Sequence, residues 1–319
     1  MNSKYVYKYL SPIGYSLRRK TMIEDINAIL HKGFGTWKRN LAICIPFILE
    51  VLSTVFLVFT FSVLFMMLFI VPVMSASGLD PEQLTPEVLM SIMGSLLSGS
   101  IWLFVAFGIV FVLIYMFMES FFMAGAIGMS KEASQRGDTS IRDMSAYGMR
   151  NVVSLFLTRV LILLMALAGI VLLIPGILSM GDMGMLLNDP QQALAGASML
   201  VLGILLWGLY LIAISIILVF VQYALVLENL DPVSAIEKGV TVFMSNRSSA
   251  LTLWFILTGI AILLSFIGEL AGYVDVLAQV WSLTNIMLTL LVIQPLTVIL
   301  WTRLYLNRTG KKLYSLDDY

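Results

Sequence analysis

The sequence contains one cysteine, Cys44, and one histidine, His31. A lone cysteine excludes an internal disulfide framework and any cysteine-rich metal centre. A lone histidine argues against a histidine-based metal site or proton relay. Charge is scarce as well: Asp, Glu, Lys and Arg make up 12% of the residues, against 60% hydrophobic ones. No soluble core can hide that much apolar surface, whereas a bilayer solvates it. The formal net charge is zero, so the chain as a whole has no polyanion-binding signature. No Walker loop, dinucleotide fingerprint or HExxH motif occurs, and no nucleophile–His–acid set can be assembled. Gly125-x-x-Gly128 is too short and generic to mark a phosphate site. The expectation is a protein that is not an enzyme and holds no cofactor or metal.

The most informative absence is local. Six apolar stretches, near 44–73, 99–123, 157–178, 197–226, 250–268 and 277–300, reach the ~20 residues that a membrane-crossing helix requires. The loops joining the first to the second, the third to the fourth and the fifth to the sixth contain no Lys or Arg. They hold Asp80, Glu82 and Glu87, then Asp182 and Asp189, then Glu269 and Asp275. All 19 basic residues fall in the N-terminal segment, around the two other connections, or in the C-terminal tail. Lys and Arg are retained on the cytoplasmic side, so both termini are expected there, in a multi-pass protein of the cell membrane. The first span is expected to act as an uncleaved signal-anchor. The sequons at Asn246 and Asn307 fall on the same side and read as chance matches.

The expected fold is all-α: a six-span transmembrane helical bundle built from three hairpins, with short cytoplasmic interfacial amphipathic helices. Residues 1–40 form a cytoplasmic N-terminal segment, 41–302 the membrane domain and 303–319 a cytoplasmic tail. Thr85-Pro86-Glu87 and Asp189-Pro190 each offer a helix N-cap with proline at the first helical position. Pro175 and Pro295 are positioned to kink or end helices. Ala193, Ala195, Gly196 and Ala197 would let the fourth helix pack closely. Each odd-numbered span follows a segment with apolar residues at helical spacing. Before the first these are Met22, Ile26, Ile29, Leu30, Phe34 and Trp37. Before the fifth, after an Asp231-Pro232 cap, they are Val233, Ile236, Val240 and Phe243. Before the third, Ser140 and Asp143 predict a capping box, with Ile141, Met144, Gly148 and Val152 behind it. Such segments suit the headgroup plane. A shift of 206 positions places Lys32-Gly33 on Lys238-Gly239 and Asn40 on Asn246, which raises a threefold parallel repeat.

Ionisable residues in apolar spans are the natural functional candidates. Glu50, Glu119, Arg159 and Glu228 lie toward the basic boundary. They either line a cytoplasm-facing cavity together, or lay their stems in the apolar layer and reach water separately. Gln222, Thr284, Asn285 and Gln294 are deeper polar groups that inter-helix hydrogen bonding explains. Tyr5, Tyr7, Tyr9 and Tyr15, interleaved with Lys4, Lys8 and Arg18 to Lys20, fit an anchor on an anionic lipid surface, not a nucleic-acid site.

Three stretches resemble a known group. Tyr223 to Gly239, with Glu228 closing a span before an Ala-Ile helix, is one. The tail, with Gln294-Pro295 followed by Arg303-Leu-Tyr305-Leu-Asn-Arg308, is another. Glu119 to Gly125, leading to Gly137-Asp-Thr-Ser-Ile-Arg142, is the third. They resemble archaeal polytopic membrane proteins of unknown function, a group distantly similar to the membrane domain attached to some glycerophosphodiester phosphodiesterases. The resemblance implies a six-helix membrane fold. The hydrolase domain is not in these residues, so it implies no phosphodiesterase activity. The sequence therefore supports a membrane protein that presents a cytoplasmic surface to lipids or to a protein partner. The rival reading is a small-solute or ion transporter or channel using the carboxylate-lined cavity.

Overall fold

The computed structural model describes residues 24–72, 75, 85–179 and 190–314. The tyrosine–lysine group before residue 24, Met22, and the loop acids Asp80, Glu82, Asp182 and Asp189 lie outside the described residues, as do the side chains of Glu87, Ala193, Ala195 and Gly196. Among the described residues the fold is all-α, in eight helices: α1 (Ile26–Arg39), α2 (Leu41–Ile70), α3 (Pro86–Arg136), α4 (Ile141–Ser179), α5 (Ala197–Glu228), α6 (Pro232–Ser245), α7 (Arg247–Ala271) and α8 (Asp275–Arg308). All but α1 and α6 are long and apolar enough to cross a membrane, the make-up of a multi-pass membrane protein. They form three hairpins, α2–α3, α4–α5 and α7–α8.

The helix boundaries follow from local chemistry. Thr85 Oγ1 accepts from the Val88 N–H ahead of Pro86, and Asp231 Oδ2 accepts from the Ser234 N–H ahead of Pro232. Asp143 Oδ2 accepts from the Ser140 N–H at 2.8 Å, the capping box that the sequence announces. The second, fourth and sixth spans end alike. Gly137, Asn229 and Gly310, at φ 93°, 54° and 69°, are the only described residues in the left-handed region. That conformation closes a helix end most easily at glycine or asparagine. Gly137→Ala should lower stability by about 1–2 kcal/mol, because the added Cβ also meets the Tyr314 ring at 3.1 Å. Denaturant titration of purified protein measures this.

Proline and glycine shape the spans from within. Pro295 has no N–H to give the Leu291 carbonyl, and the preceding turn, Thr289–Ile293, opens into a π-turn. The freed Leu291 carbonyl accepts from Trp37 Nε1 at 2.9 Å and Cys44 Sγ at 3.1 Å, docking α1 and α2 on α8. In α4 a 3-10 segment, Gly169–Leu173, precedes Pro175. There the Gly169 N–H turns to Ala166, and the Met165 carbonyl accepts from Tyr210 Oη at 2.7 Å instead. Close approach of α4 and α5 comes from Gly176 and Gly203, which meet the backbone of Leu200 and Leu172. Gly125 and Gly128 also prove to be packing positions, against Met144 and Tyr147.

The repeat has a structural counterpart. The bounds of α1 and α6 differ by the same 206 positions, and both follow an aspartate in extended conformation. Both end on an asparagine whose Nδ2 donates four residues back, Asn40 to Thr36 and Asn246 to Val242. The middle unit corrects the expectation of a separate short helix before the third span. Ser140 starts α4, and nothing interrupts the ladder until the 3-10 turn at Gly169. Asn151 donates back to Tyr147 without ending the helix. All three units keep a glycine eight residues past the N-cap. Gly33 rests on Leu300, Gly148 on Phe121 and Gly239 on Val221. Each opening helix therefore packs on the second span of the preceding hairpin, and the first packs on the last, closing a ring of three.

Two boundaries differ from expectation in the same direction. The second span continues to Arg136, and the sixth runs to Arg308 with Val298 to Asn307 buried, so 303–307 packs into the core. Burial concentrates at this end, which carries the basic residues. The halves away from this end leave large apolar side chains exposed, such as Met67, Trp102, Leu178 and Phe266. Close packing there is mostly within hairpins, exemplified by the Phe61, Phe65, Phe69, Phe104 and Phe107 rings between α2 and α3.

Candidate polar site where the hairpins converge

Four spans from all three hairpins enclose a cavity of about 250 Å³ at the basic end. Each contributes one helical face. Phe47 and Glu50 come from α2, Glu119 and Met123 from α3, and Val219, Gln222 and Tyr223 from α5. From α8 come Gln294, Thr297, Val298 and Trp301, at i, i+3, i+4 and i+7. Trp301 is 4% exposed and packs edge-on against Phe220. A second cavity of about 240 Å³ adjoins it, sharing Val219 and Gln222, and is lined by Thr158, Arg159 and Ser215 among apolar residues.

Arg159 and Glu119 face each other between the two spaces, Nη1 to Oε2 at 2.7 Å. The same Nη1 is buried and makes no well-directed hydrogen bond, so proximity of charge and not alignment holds the pair. Glu50 lies within electrostatic reach of both, and no ion pair to it occurs among the described residues. Counted as ionised, the three side chains amount to two negative charges and one positive.

Of the four expected partners, three come together and Glu228 does not. It lies at the end of α5, accepts from Tyr305 Oη at 2.9 Å and has Lys238 Nζ at 3.8 Å. The α5 helix continues to Glu228, about a turn and a half past the cavity wall at Gln222 and Tyr223, which carries the carboxylate out of the cavity. Gln222 and Gln294, expected as packing amides, are cavity residues. Asn285 is half-buried on α8 away from the cavity, and Thr284 donates to its own helix at Val280. Arg159 lies about five turns into α4, deeper than the two turns expected for it. Sequence reasoning overlooked Trp301, Thr297 and Phe47, although the spacing of Trp301 and Thr297 from Gln294 was a signal for them.

A second charged cluster ties the first helix to the last. Arg303 is 1% exposed and grips Glu24 with two hydrogen bonds, Nε to Oε2 at 2.9 Å and Nη2 to Oε1 at 2.8 Å. Lys32 Nζ adds a third at 2.9 Å, while Asn307 Oδ1 accepts from the Glu24 N–H. Burial alone would raise the Glu24 carboxyl, but the hydrogen bonds from Arg303 and Lys32 outweigh it and hold it below its ordinary value. Sequence reasoning missed this cluster, whose members are 279 positions apart. Among the described residues no group of three or more His, Cys, Asp or Glu could hold a metal ion.

Comparison with known proteins gives a family and a relative and is silent on activity. An uncharacterized protein of Archaeoglobus fulgidus is 26% identical over 315 residues, covering 93% of this chain and 100% of that protein. No solved structure matches. A family model described as a domain of unknown function (DUF7847) matches residues 103–305, from the apolar part of α3 through the buried stretch of α8. The chain belongs to the DUF7847 family.

Proposed function

We propose that this chain is a non-enzymatic integral membrane protein that engages lipid at its basic, cytoplasmic end, with a headgroup held in the cavity between the hairpins. The observation that carries this reading is the cavity itself: a space bearing two carboxylates, with Arg159 in the adjoining one, at the point where three otherwise apolar hairpins meet. Carboxylates among apolar spans are costly without an occupant or water to complete them. The surface of α1 and the start of α2 support the same reading. Phe34 and Leu41 are 46% and 58% exposed, and Lys38 Nζ lies 5.9 Å from the Phe34 ring, a pairing suited to a headgroup layer.

Native mass spectrometry of gently solubilised protein tests it, and retained lipid is expected. A bare polypeptide under conditions that preserve its fold would overturn the proposal. Orientation is tested separately. A cysteine introduced near Asp80 should react with impermeant reagent only from outside, and reaction from the cytoplasm would reverse the topology.

One observation favours a second reading. Glu50 has no countercharge of its own among the described residues, and a transported cation would supply one. Uptake of a cationic solute into proteoliposomes, abolished by Glu119→Gln, would establish a transporter. Absence of flux across a broad panel of ions and small solutes would dismiss it.

A further inference from the structure

The lipid-binding reading leaves open which headgroup the site fits, and the two adjoining cavities bear on that choice. Carboxylates line the first, at Glu50 and Glu119, and a guanidinium lines the second, at Arg159. The Glu119–Arg159 pair forms part of the boundary between them, beside the shared residues Val219 and Gln222. The Arg159 Nη1 atom is buried and lacks a directed hydrogen bond. A guanidinium offers five N–H donors, so one carboxylate contact leaves it capacity for an oxyanion. Glu50 meanwhile lacks an ion pair among the described residues. The site thus offers a place for positive charge beside Glu50 and Glu119 and, in the adjoining cavity, a place for negative charge at Arg159.

From this we infer that the site recognises a zwitterion: an ammonium group between Glu50 and Glu119, joined through a short linker to an oxyanion at Arg159. The five charges then alternate in sign, from Glu50 through the ammonium, Glu119 and Arg159 to the oxyanion, and every neighbour is attractive. An ammonium alone would leave the second cavity without a polar occupant for Arg159. A phosphate alone would enter beside two carboxylates and meet net repulsion. Gln222, common to both spaces, can donate through its amide nitrogen and accept through its oxygen, which suits the linker region between opposite charges. Much of the remaining lining is apolar or aromatic, such as Phe47 and Trp301 in the first cavity and Leu155 and Ile162 in the second, as an ammonium or an acyl stem would need. This rests on the lipid reading only for the source of the zwitterion, which is then a phospholipid of the ethanolamine type. A free zwitterion shares the chemistry.

The test uses full-length protein, delipidated in detergent and offered lipids in mixed micelles, with retention read by native mass spectrometry. Phosphatidylethanolamine carries both charges, phosphatidylglycerol the phosphate without the ammonium, and a dialkyl trimethylammonium lipid the cation without the phosphate. Wild-type protein should retain phosphatidylethanolamine at least about tenfold over either comparison lipid. Glu50→Gln should remove its advantage over phosphatidylglycerol, and Arg159→Gln its advantage over the cationic lipid. Glu50→Gln breaks no ion pair among the described residues and should fold normally. Where Arg159→Gln lowers the yield of folded protein, the Glu119→Gln/Arg159→Gln double variant replaces it, since no unpaired partner remains. Equal retention of the three lipids by wild type would overturn zwitterion recognition and leave lipid binding standing. No retention of any lipid, with free phosphoethanolamine bound and sensitive to both substitutions, would support the zwitterion and overturn the lipid source. Retention of nothing, free or lipid, would overturn both.

Discussion

Glu24→Ala is expected to destabilise the protein by about 3–5 kcal/mol, the range for removing one partner of a buried ion pair. The reason is what it leaves behind. Arg303 is 1% exposed, and both of its hydrogen bonds to a side chain go to Glu24. Without that carboxylate a guanidinium stays buried beside Lys32 and Arg308. The cluster also closes the ring, because Glu24 opens the first unit and Arg303 belongs to the last helix of the third. Exchanging both partners for apolar residues removes the stranded charge, so Glu24→Ala/Arg303→Leu should recover much of the loss. Denaturant titration of the two variants and wild type in one detergent decides it. A single variant within about 1 kcal/mol of wild type would mean that water reaches Arg303 and that the cluster does not hold the ends together.

The same carboxylate sets a pH dependence. Its folded pKa lies below the ordinary value of 4.5 because the bonds from Arg303 and Lys32 outweigh the effect of burial. A depressed carboxyl stabilises the fold fully above its unfolded pKa, and that stabilisation fades as pH falls through the folded one. Asp231, held below 3.8 by its bonds with Ser234, acts in the same direction from an exposed cap. The contribution of these two carboxyls to the melting temperature should therefore be flat from neutral pH downward and be lost only in the acid range below about pH 4.5. In Glu24→Gln that loss should be shallower, since the group that loses its charge is no longer present.

The broad fold was legible because its causes are local to the chain. Apolar length defines a span, and three loops free of Lys and Arg divide six spans into hairpins. The Asp231 and Ser140 caps could be placed from a few neighbouring residues. What could not be read depends on residues far apart in sequence. Arg303 looked like part of a polar tail, because a lone arginine after an apolar run usually reaches water. Only packing against α1 shows why it is buried. Glu228 looked like Glu119 from its position near a span's end, yet the number of turns past Gln222 takes it out of the cavity. The three-unit ring was faint in sequence for a related reason. Across the opening helix and its caps only Asp25, Lys32, Gly33 and Asn40 recur after 206 positions, and of these the middle unit keeps just the glycine. Those few residues mark the close approaches and helix ends, and the remaining surface of each unit meets different neighbours.

Those glycines supply the sharpest comparison between units, because one substitution at equivalent places should have different effects. Alanine is the better helix former by about 1 kcal/mol, so each replacement starts with a gain. At Gly239 the new Cβ would lie 2.7 Å from the Val221 Cα and backbone nitrogen, and neither can move without shifting α5 against α6. Overpacking of that kind costs about 1–3 kcal/mol or more, and a backbone contact belongs at the upper end. Gly239→Ala should therefore be destabilising by about 2 kcal/mol net. At Gly33 the nearest atom, at 2.5 Å, is the Leu300 Cδ2, the far end of a flexible side chain that can rotate away. Gly33→Ala should fall within about 1 kcal/mol of wild type. Gly148, against both the ring and the carbonyl of Phe121, should lie between them. Since Val221 adjoins Gln222, Gly239→Ala should also loosen lipid retention at the cavity, whereas Gly33→Ala should not. Equal losses at all three glycines would show that the helices adjust as rigid bodies, and that the contacts of individual atoms do not set the cost.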